Sequence, residues 1–350
     1  MKKPTINLKN LRKSKKTSNK FERITNETVA EHREKILAGG RRFKYPIQYS
    51  RRKLVINAII VAIAALIVLV AIAWQQLYVA QNSSNLFYRL TQIFPVPVAM
   101  IDGESVKYSD YLMQYRGSEY YLNKNDEVNL DTDDGKAQLN YIKRQSLDQA
   151  ITDAYAAKIA RTKGITVSEK DIDAVIEQQR NTANGRITQE TYDASSRMMY
   201  DWSPAEYRQA LRRSILQSKV AFAVDTTAHQ QQEKASELIS QGENDFTKIA
   251  AQLGGSDSKK IQVGDTGMIN QTSTFNGLSV SSEVSRLEIG KTSGVLKSAN
   301  DSGYYFVKVT EKTDTKVRFS YLYIPLTELQ SQISDLKKEG KVKEFIAIQS

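Results

Sequence analysis

The sequence predicts an α+β protein in three parts: a single transmembrane helix, a mostly helical body opened by a strand pair, and a small α/β domain towards the carboxyl end. Three observations carry this. Leu54 to Trp74 is a run of 21 residues without a charge. Behind it, apolar residues recur at helical spacing, with a helix-start signal ahead of each stretch. From about residue 229 the texture changes to glycine-punctuated loops and two β-branched, aromatic segments.

The 350 residues allow two or three modest domains. The chain has no Cys, which removes disulfides, thiolate nucleophiles and Cys-ligated metals. Its two histidines, His32 and His229, leave almost no material for Ser-His-Asp catalysis or a multi-His metal centre. No metal and no cofactor are expected. The net charge of +11 sits in one place: residues 1–53 carry 17 Lys and Arg against 4 Glu, whereas the rest carries 33 basic and 35 acidic groups. A basic arm is not a basic protein, so no specific nucleic-acid partner is expected.

Within Leu54–Trp74, 13 residues are Leu, Ile or Val, and Asn57 is the one strongly polar side chain. At helical rise the run reaches roughly 31 Å, the thickness of a hydrocarbon core. Its Leu, Ile and Val contribute about −4 to −8 kcal/mol towards insertion. A helix apolar all round for this length does not fit a soluble core. Arg41, Arg42, Lys44, Arg51, Arg52 and Lys53 precede the run, and only Arg89 stands between Gln75 and Phe94. That bias puts the amino terminus in the cytoplasm and residues 75–350 outside. Ala71-Ile72-Ala73 has the small-residue spacing of a signal cleavage site. The length of the run and the 53 residues before it favour an uncleaved anchor in the cell membrane. Trp74 and Tyr78 would then lie in the outer aromatic belt.

The arm, residues 1–53, is polar and poor in aromatics, and is expected to be disordered. The six basic residues before the membrane would each gain about 1 kcal/mol from anionic lipid. Residues 75–95 are the linker, ended by Pro95 and Pro97.

The helical body is expected over 96–225. Val98–Val106 reads as two short strands around an Asp102-Gly103 turn. Ser109 is the expected N-cap of a helix bearing Tyr111, Leu112 and Tyr115 on one face, core residues before client contacts. Asp131 to Gly135 resembles a calcium loop, but its Gly falls one position early and Ile142 holds the place of the bidentate Glu. It reads as the polar start of a helix ending near Arg161, with Gly164 as its terminator. Ser168 with Asp171, and Ser203 with Glu206 behind Pro204, are capping-box patterns opening two more helices.

A helix Gln230–Ser240, a short one with Phe246, Ile249 and Ala250, and strands at Gly303–Val309 and Lys316–Ile324 fill 226–325; the latter alternates like a half-buried strand. Leu326–Leu336 is a final amphipathic helix, followed by a short apolar stretch from Val342 to Ile348. His229 reads as a surface residue at a helix start.

Several stretches, in this order, resemble the SurA/PrsA-type extracytoplasmic foldases, which join a helical chaperone domain to a parvulin-type (PpiC-like) prolyl isomerase domain. They are Val98–Val106 with Ser109-Asp110, AYAAKIARTKGITVSEKDID (154–173) and SPAEYRQALRRSILQSKV (203–220). For the parvulin part they are KASELISQGENDFTKIAAQLGGSDSKK (234–260), VGDTG (263–267), LEIGKTSGVLKS (287–298) and GYYFVKV (303–309). LKKEGKVKEFI (336–346) resembles the family's closing helix and strand, which return to the chaperone domain. The resemblance spans about 96–348.

It implies a SurA-N-like chaperone domain at 96–225, a parvulin-like domain at 226–325 and a returning segment at 326–350. The implied activity is peptidyl-prolyl isomerisation on unfolded or proline-containing exported polypeptides. Parvulin domains usually open with a strand containing His-Ile-Leu, and this chain has no such strand ahead of 230. Lys316–Ile324 is its candidate replacement. Their closing strand has His where this chain has Tyr305. The resemblance maps the catalytic places to Asp257, Ser258 and Tyr305, and the proline pocket to Phe275, Leu278 and Leu287, with the family's pocket aromatic replaced near Ser285. Isomerisation needs an apolar slot that favours the twisted amide and no nucleophile, so the histidine losses weaken the enzyme reading without closing it. The alternative is a non-catalytic envelope scaffold that binds a fixed partner.

Overall fold

The structure, a computed structural model, describes residues 25–44, 46–124, 126, 128–182, 185–254, 261–298 and 303–348. The chain divides into two compact units, Met1–Ala73 and Trp74–Ser350.

In the first unit, α1 (Asn26–Lys44) lies in the arm expected to be disordered. Thr28 Oγ1 donates to the Thr25 carbonyl at 2.8 Å and accepts from the Thr25 amide at 3.0 Å, and Lys35 meets Glu31 at 3.2 Å. Such local pairings support a helix that bulk composition does not reveal. In α2 (Pro46–Trp74) the apolar run from Leu54 to Ile72 stands exposed along its length. Among the described residues this is the one helix long and apolar enough to cross a membrane.

The second unit begins with helix. A π-helical turn, Gln75–Val79, and α3 (Asn85–Ile93) occupy the stretch expected as linker. Tyr78 is therefore no free belt residue: its hydroxyl donates to the Pro97 carbonyl at 2.6 Å and its ring meets that of Tyr108 edge-on at 5.6 Å. The strands β1 (Pro97–Ile101) and β2 (Glu104–Lys107) pair antiparallel. Asp102 and Gly103 both take positive φ, 47° and 80°, as a two-residue hairpin turn of matching twist requires.

The next helix, α4 (Tyr108–Lys124), starts one residue before the expected cap, so Ser109 lies inside its first turn. The strand runs straight into the helix, and a backbone carbonyl replaces the side-chain cap: the Tyr108 amide donates to Val96 O at 2.8 Å. The Tyr108 hydroxyl donates to Leu77 O at 2.5 Å. Tyr111, Leu112 and Tyr115 are buried, in the core as expected.

The longest helix, α5 (Asp133–Lys163), is capped by Thr132, whose hydroxyl accepts from the Gly135 amide at 3.1 Å, and ends at Gly164 with φ 69°. Both expected capping boxes are present, Ser168/Asp171 ahead of α6 (Glu169–Arg180) and Ser203/Glu206 ahead of α8 (Pro204–Val224). Between them lie a minimal hairpin, β3 (Asn181–Thr182) with β4 (Gly185–Arg186), and α7 (Gln189–Tyr200). The helix α7 has few apolar residues to betray it; Tyr192 packs beside Ile172 and Ile176 of α6 in a small satellite core.

Beyond residue 225, α9 (Thr226–Ser240) and α10 (Phe246–Leu253) precede a sheet of β5 (Gln262–Asp265), β6 (Ile269–Asn270), β9 (Leu296–Ser298), β10 (Gly303–Lys312) and β11 (Lys316–Pro325). A separate hairpin joins β7 (Thr274–Phe275) to β8 (Leu278–Ser279). The sheet order is β5-β11-β10-β9, all antiparallel, with β6 also pairing to β11. Tyr304, Phe306, Leu322 and Ile324 face α9 and α10. Tyr305, Val307, Val309, Val317 and Phe319 face Leu278, Val280 and Val284. The alternation in β11 thus separates two cores, where a half-buried strand would separate core from water. His229 stands exposed on α9 with Nε2 3.2 Å from Glu233.

The chain then returns. The helix α11 (Glu328–Lys338) packs on α5 and α8, and β12 (Val342–Glu344) pairs antiparallel with β1, Ala99 opposite Glu344 and Ile101 opposite Val342. One carboxylate ties the exit to the return. Asp225 Oδ1 accepts from the Ala228 amide at 2.8 Å, and its Oδ2 accepts from the amides of Thr327 at 2.6 Å and Glu328 at 3.0 Å. A single buried side chain caps two helix starts.

Candidate functional site

Two aromatic assemblies stand out, one among the helices and one on the sheet. The first lines a groove of about 620 Å³ between α3, α4, α7 and the start of α8. Its wall is made of Tyr88, Tyr120, Tyr200, Trp202, Met113 and Leu130, with Arg89, Arg116, Arg197, Glu119 and Glu206 at its polar margins. Trp202 leads from α7 into α8. Its indole stacks on Tyr200 with centroids 4.9 Å apart, and Nε1 donates to Met113 O at 3.2 Å. Asp201 ends α7 with φ 54°, which turns the chain so that these two rings lie together. The ring needs room on α4, and Gly117 supplies it: a Cβ there would sit 2.9 Å from the indole.

At the deep end Tyr88 is buried and donates its hydroxyl to Glu206 Oε1 at 2.8 Å. Arg89 reaches the same oxygen at 3.2 Å, while Ser203 holds Oε2 through its amide at 2.9 Å and its hydroxyl at 2.6 Å. Burial pushes the Glu206 carboxyl up, but Ser203, Tyr88 and Arg89 together outweigh it and hold it below the ordinary range. Burial, aided by Glu206, pushes the Tyr88 hydroxyl well above its ordinary range, so it stays a neutral donor. The guanidiniums of Arg89 and Arg116 stand 5.2 and 5.4 Å from the Tyr88 ring centre. The cap of α8 is therefore also part of the groove wall. These groups offer aromatic faces, arginine donors and one carboxylate held by Ser203, Tyr88 and Arg89.

The second assembly holds four of the six residues expected as a site. Tyr305 on β10 is 1% exposed, and its hydroxyl accepts from Asn276 Nδ2 at 2.9 Å. Leu278 is fully buried below it, while Phe275 and Leu287 are half-buried in the same core. Phe275 approaches Tyr305, Phe319 and Tyr321 at 6.3, 5.4 and 5.1 Å, and Tyr305 stacks on Tyr323 at 4.6 Å. Asp257 and Ser258 lie outside the described residues. Ser285 is buried behind this core with no hydrogen-bond partner for its hydroxyl.

Two features here escaped the sequence reading although their signals were present. Asn276-Gly277 is a strong hairpin dipeptide, and both residues take positive φ in the β7–β8 turn. Tyr200 and Trp202 directly precede the Ser203 box that was recognised only as a helix start.

Compared with known proteins, the chain matches a family model described as a SurA-like N-terminal domain over residues 47–221, half of its length. No curated protein and no solved structure matches it. The matched stretch contains every residue of the aromatic groove and stops within α8, ahead of the sheet. The chain thus belongs to the family of proteins with a SurA-like N-terminal domain.

Proposed function

We propose that this protein is a membrane-anchored extracytoplasmic folding factor that holds unfolded exported polypeptides in the groove between α3, α4, α7 and α8. Leu54–Trp74 is the anchor, and the basic flank keeps the amino terminus in the cytoplasm. The observation that carries the reading is the half-exposed Tyr200–Trp202 stack inside a family-matched helical body. Tyrosine and tryptophan give a large contact area with a polar edge, and arginines donate to peptide carbonyls, so many sequences fit. The test is suppression of aggregation of unrelated unfolded proteins by the full chain in nanodiscs. Suppression that falls about tenfold in the Tyr200→Ala/Trp202→Ala double variant is expected, from about 0.5–1.5 kcal/mol per aromatic contact. A fixed-partner scaffold shows no suppression in either protein.

A second reading, a parvulin-like isomerase in residues 226–325, is favoured by one feature of the sheet. The strand β11, from the far end of the lobe, lies beside β10, where it can stand in for the family's opening strand. Phe275, Tyr321 and Tyr323 supply half-buried apolar surface around Tyr305. In this reading Phe275, Leu278 and Leu287 bind the proline ring, and Tyr305, Asp257 and Ser258 act on the twisting amide. A protease-free prolyl-peptide assay on the full chain decides it: a rate equal to buffer removes the isomerase.

A further inference from the structure

We infer that α3 is an interfacial helix, which rests the folded body on the outer face of the bilayer. The helix has a face turned into the body, with Tyr88 5% and Thr91 1% exposed. Its opposite stripe is also apolar. Leu86 is 73%, Ile93 71% and the adjoining Phe94 60% exposed, with half-buried Leu90 between them. Positions 86, 90 and 93 follow helical spacing and form one stripe, and exposed Phe94 follows directly at the helix end. A helix edge facing water normally carries charge. This one does not, and the apolar side chains that take its place call for a cover.

The cover is a lipid surface, by continuity and by charge. The apolar span reaches Val79, and α3 begins six residues later, at Asn85. Within that same approach Trp74 and Val79 are exposed, although Leu77 between them is buried in the body. From Trp74 to Ile101 the chain has no acidic residue, and Arg89, its one cation there, stands beside the stripe, half-exposed although one of its nitrogens meets Glu206. Apolar side chains sunk to the headgroup boundary, with a half-exposed arginine beside them and no carboxylate in their own segment, are what an interfacial helix presents to anionic lipid. A soluble partner would have no reason to prefer the twenty residues nearest the span. The inference goes beyond the client groove and rests on the membrane reading of Leu54–Trp74.

Because the chain has no Cys, single-cysteine variants are clean probes. Leu86→Cys, Ile93→Cys and Phe94→Cys, labelled with an environment-sensitive fluorophore in the full chain, are reconstituted in phosphatidylcholine/phosphatidylglycerol vesicles. Ile289→Cys, at an exposed apolar position on the sheet lobe, is the control. Nitroxide-bearing lipids should quench the three α3 labels at least threefold more than the control, with shallow-depth nitroxides the most effective. Quenching equal to the control, in vesicles with which the protein still floats, overturns the interfacial helix and leaves the anchor standing. Labels shielded from aqueous quencher yet untouched by lipid nitroxides also overturn it, because a protein then covers the stripe. Failure of the full chain to float with vesicles overturns the anchor and this inference together.

Discussion

The helical body and the sheet lobe are both built around clustered aromatic rings, and the two clusters differ at their centres: Tyr305 is buried, whereas the Tyr200–Trp202 stack stays half-exposed. On the sheet, Tyr305 lies under Phe275 and Leu278 because the segment after β6 folds back as a hairpin over that face. In the helical body, Tyr200 and Trp202 stay half-exposed in the wall of a groove of about 620 Å³, with the Trp202 ring seated against Gly117 of α4. Aromatic content therefore does not mark a site. What matters is whether an element covers the central ring: Tyr305 keeps almost no surface, whereas Tyr200 and Trp202 keep part of theirs.

The harshest test of this comparison is Asp225→Ala, which removes the caps of α9 and α11 at once and leaves three amides, that of buried Ala228 among them, without this acceptor. A loss of about 3 kcal/mol is expected in urea unfolding of the micellar full chain, with the sheet lobe and helical body melting as separate transitions. A single shifted transition would show that the two lobes are coupled by packing alone.

Gly117→Ala acts on the open cluster alone. The added methyl overlaps the Trp202 ring, costs about 1–3 kcal/mol and should shift tryptophan emission while lowering client capture.

A third test lies on α5, in the helical body. Asp153 is buried, with Gln149 Nε2 donating to Oδ1 at 2.8 Å and no partner for Oδ2. Burial pushes its carboxyl up to about 6, only partly countered by Arg213 and Gln149, with Asp110 adding to the rise. The folded chain thus keeps this proton to a higher pH than the unfolded chain, whose Asp titrates near about 3.9. Its contribution to stability is fullest below about pH 4, falls as the pH rises to about 6 and is flat above. Asp153→Asn should remove that slope and stabilise the protein at pH 7 by up to about 3 kcal/mol, measured as the difference between the two unfolding profiles.

The smallest effect belongs to the covered cluster. Tyr305→Phe loses the hydrogen bond from Asn276 and should cost about 1 kcal/mol of stability without changing client capture. A drop in capture with stability intact would mean that the covered face opens to clients, and the contrast between the clusters would fail.

Much of the helical body was legible because its signals are local. The Ser168 and Ser203 boxes, the Asp102-Gly103 turn and Gly164 each act within four residues, and each appears where the sequence places it. The Ser109 cap failed for a non-local reason: Val96, across the hairpin, supplies the acceptor. The groove was not legible: the tyrosines the sequence singled out on α4, Tyr111 and Tyr115, are core residues. Its rings sit on α3, α4 and the α7–α8 junction, and Tyr88 meets Glu206 across 118 residues of sequence.

By itself the sequence determined the apolar span, the charge bias around it and the caps that start and stop most helices, because those depend on neighbours along the chain. Tertiary structure alone decided which tyrosines face water, that β11 runs between β5 and β10, and that Asp225 fastens two distant helix starts. Those outcomes depend on which distant segment arrives to cover a ring, fill a sheet edge or donate an amide, and spacing along the chain does not encode that.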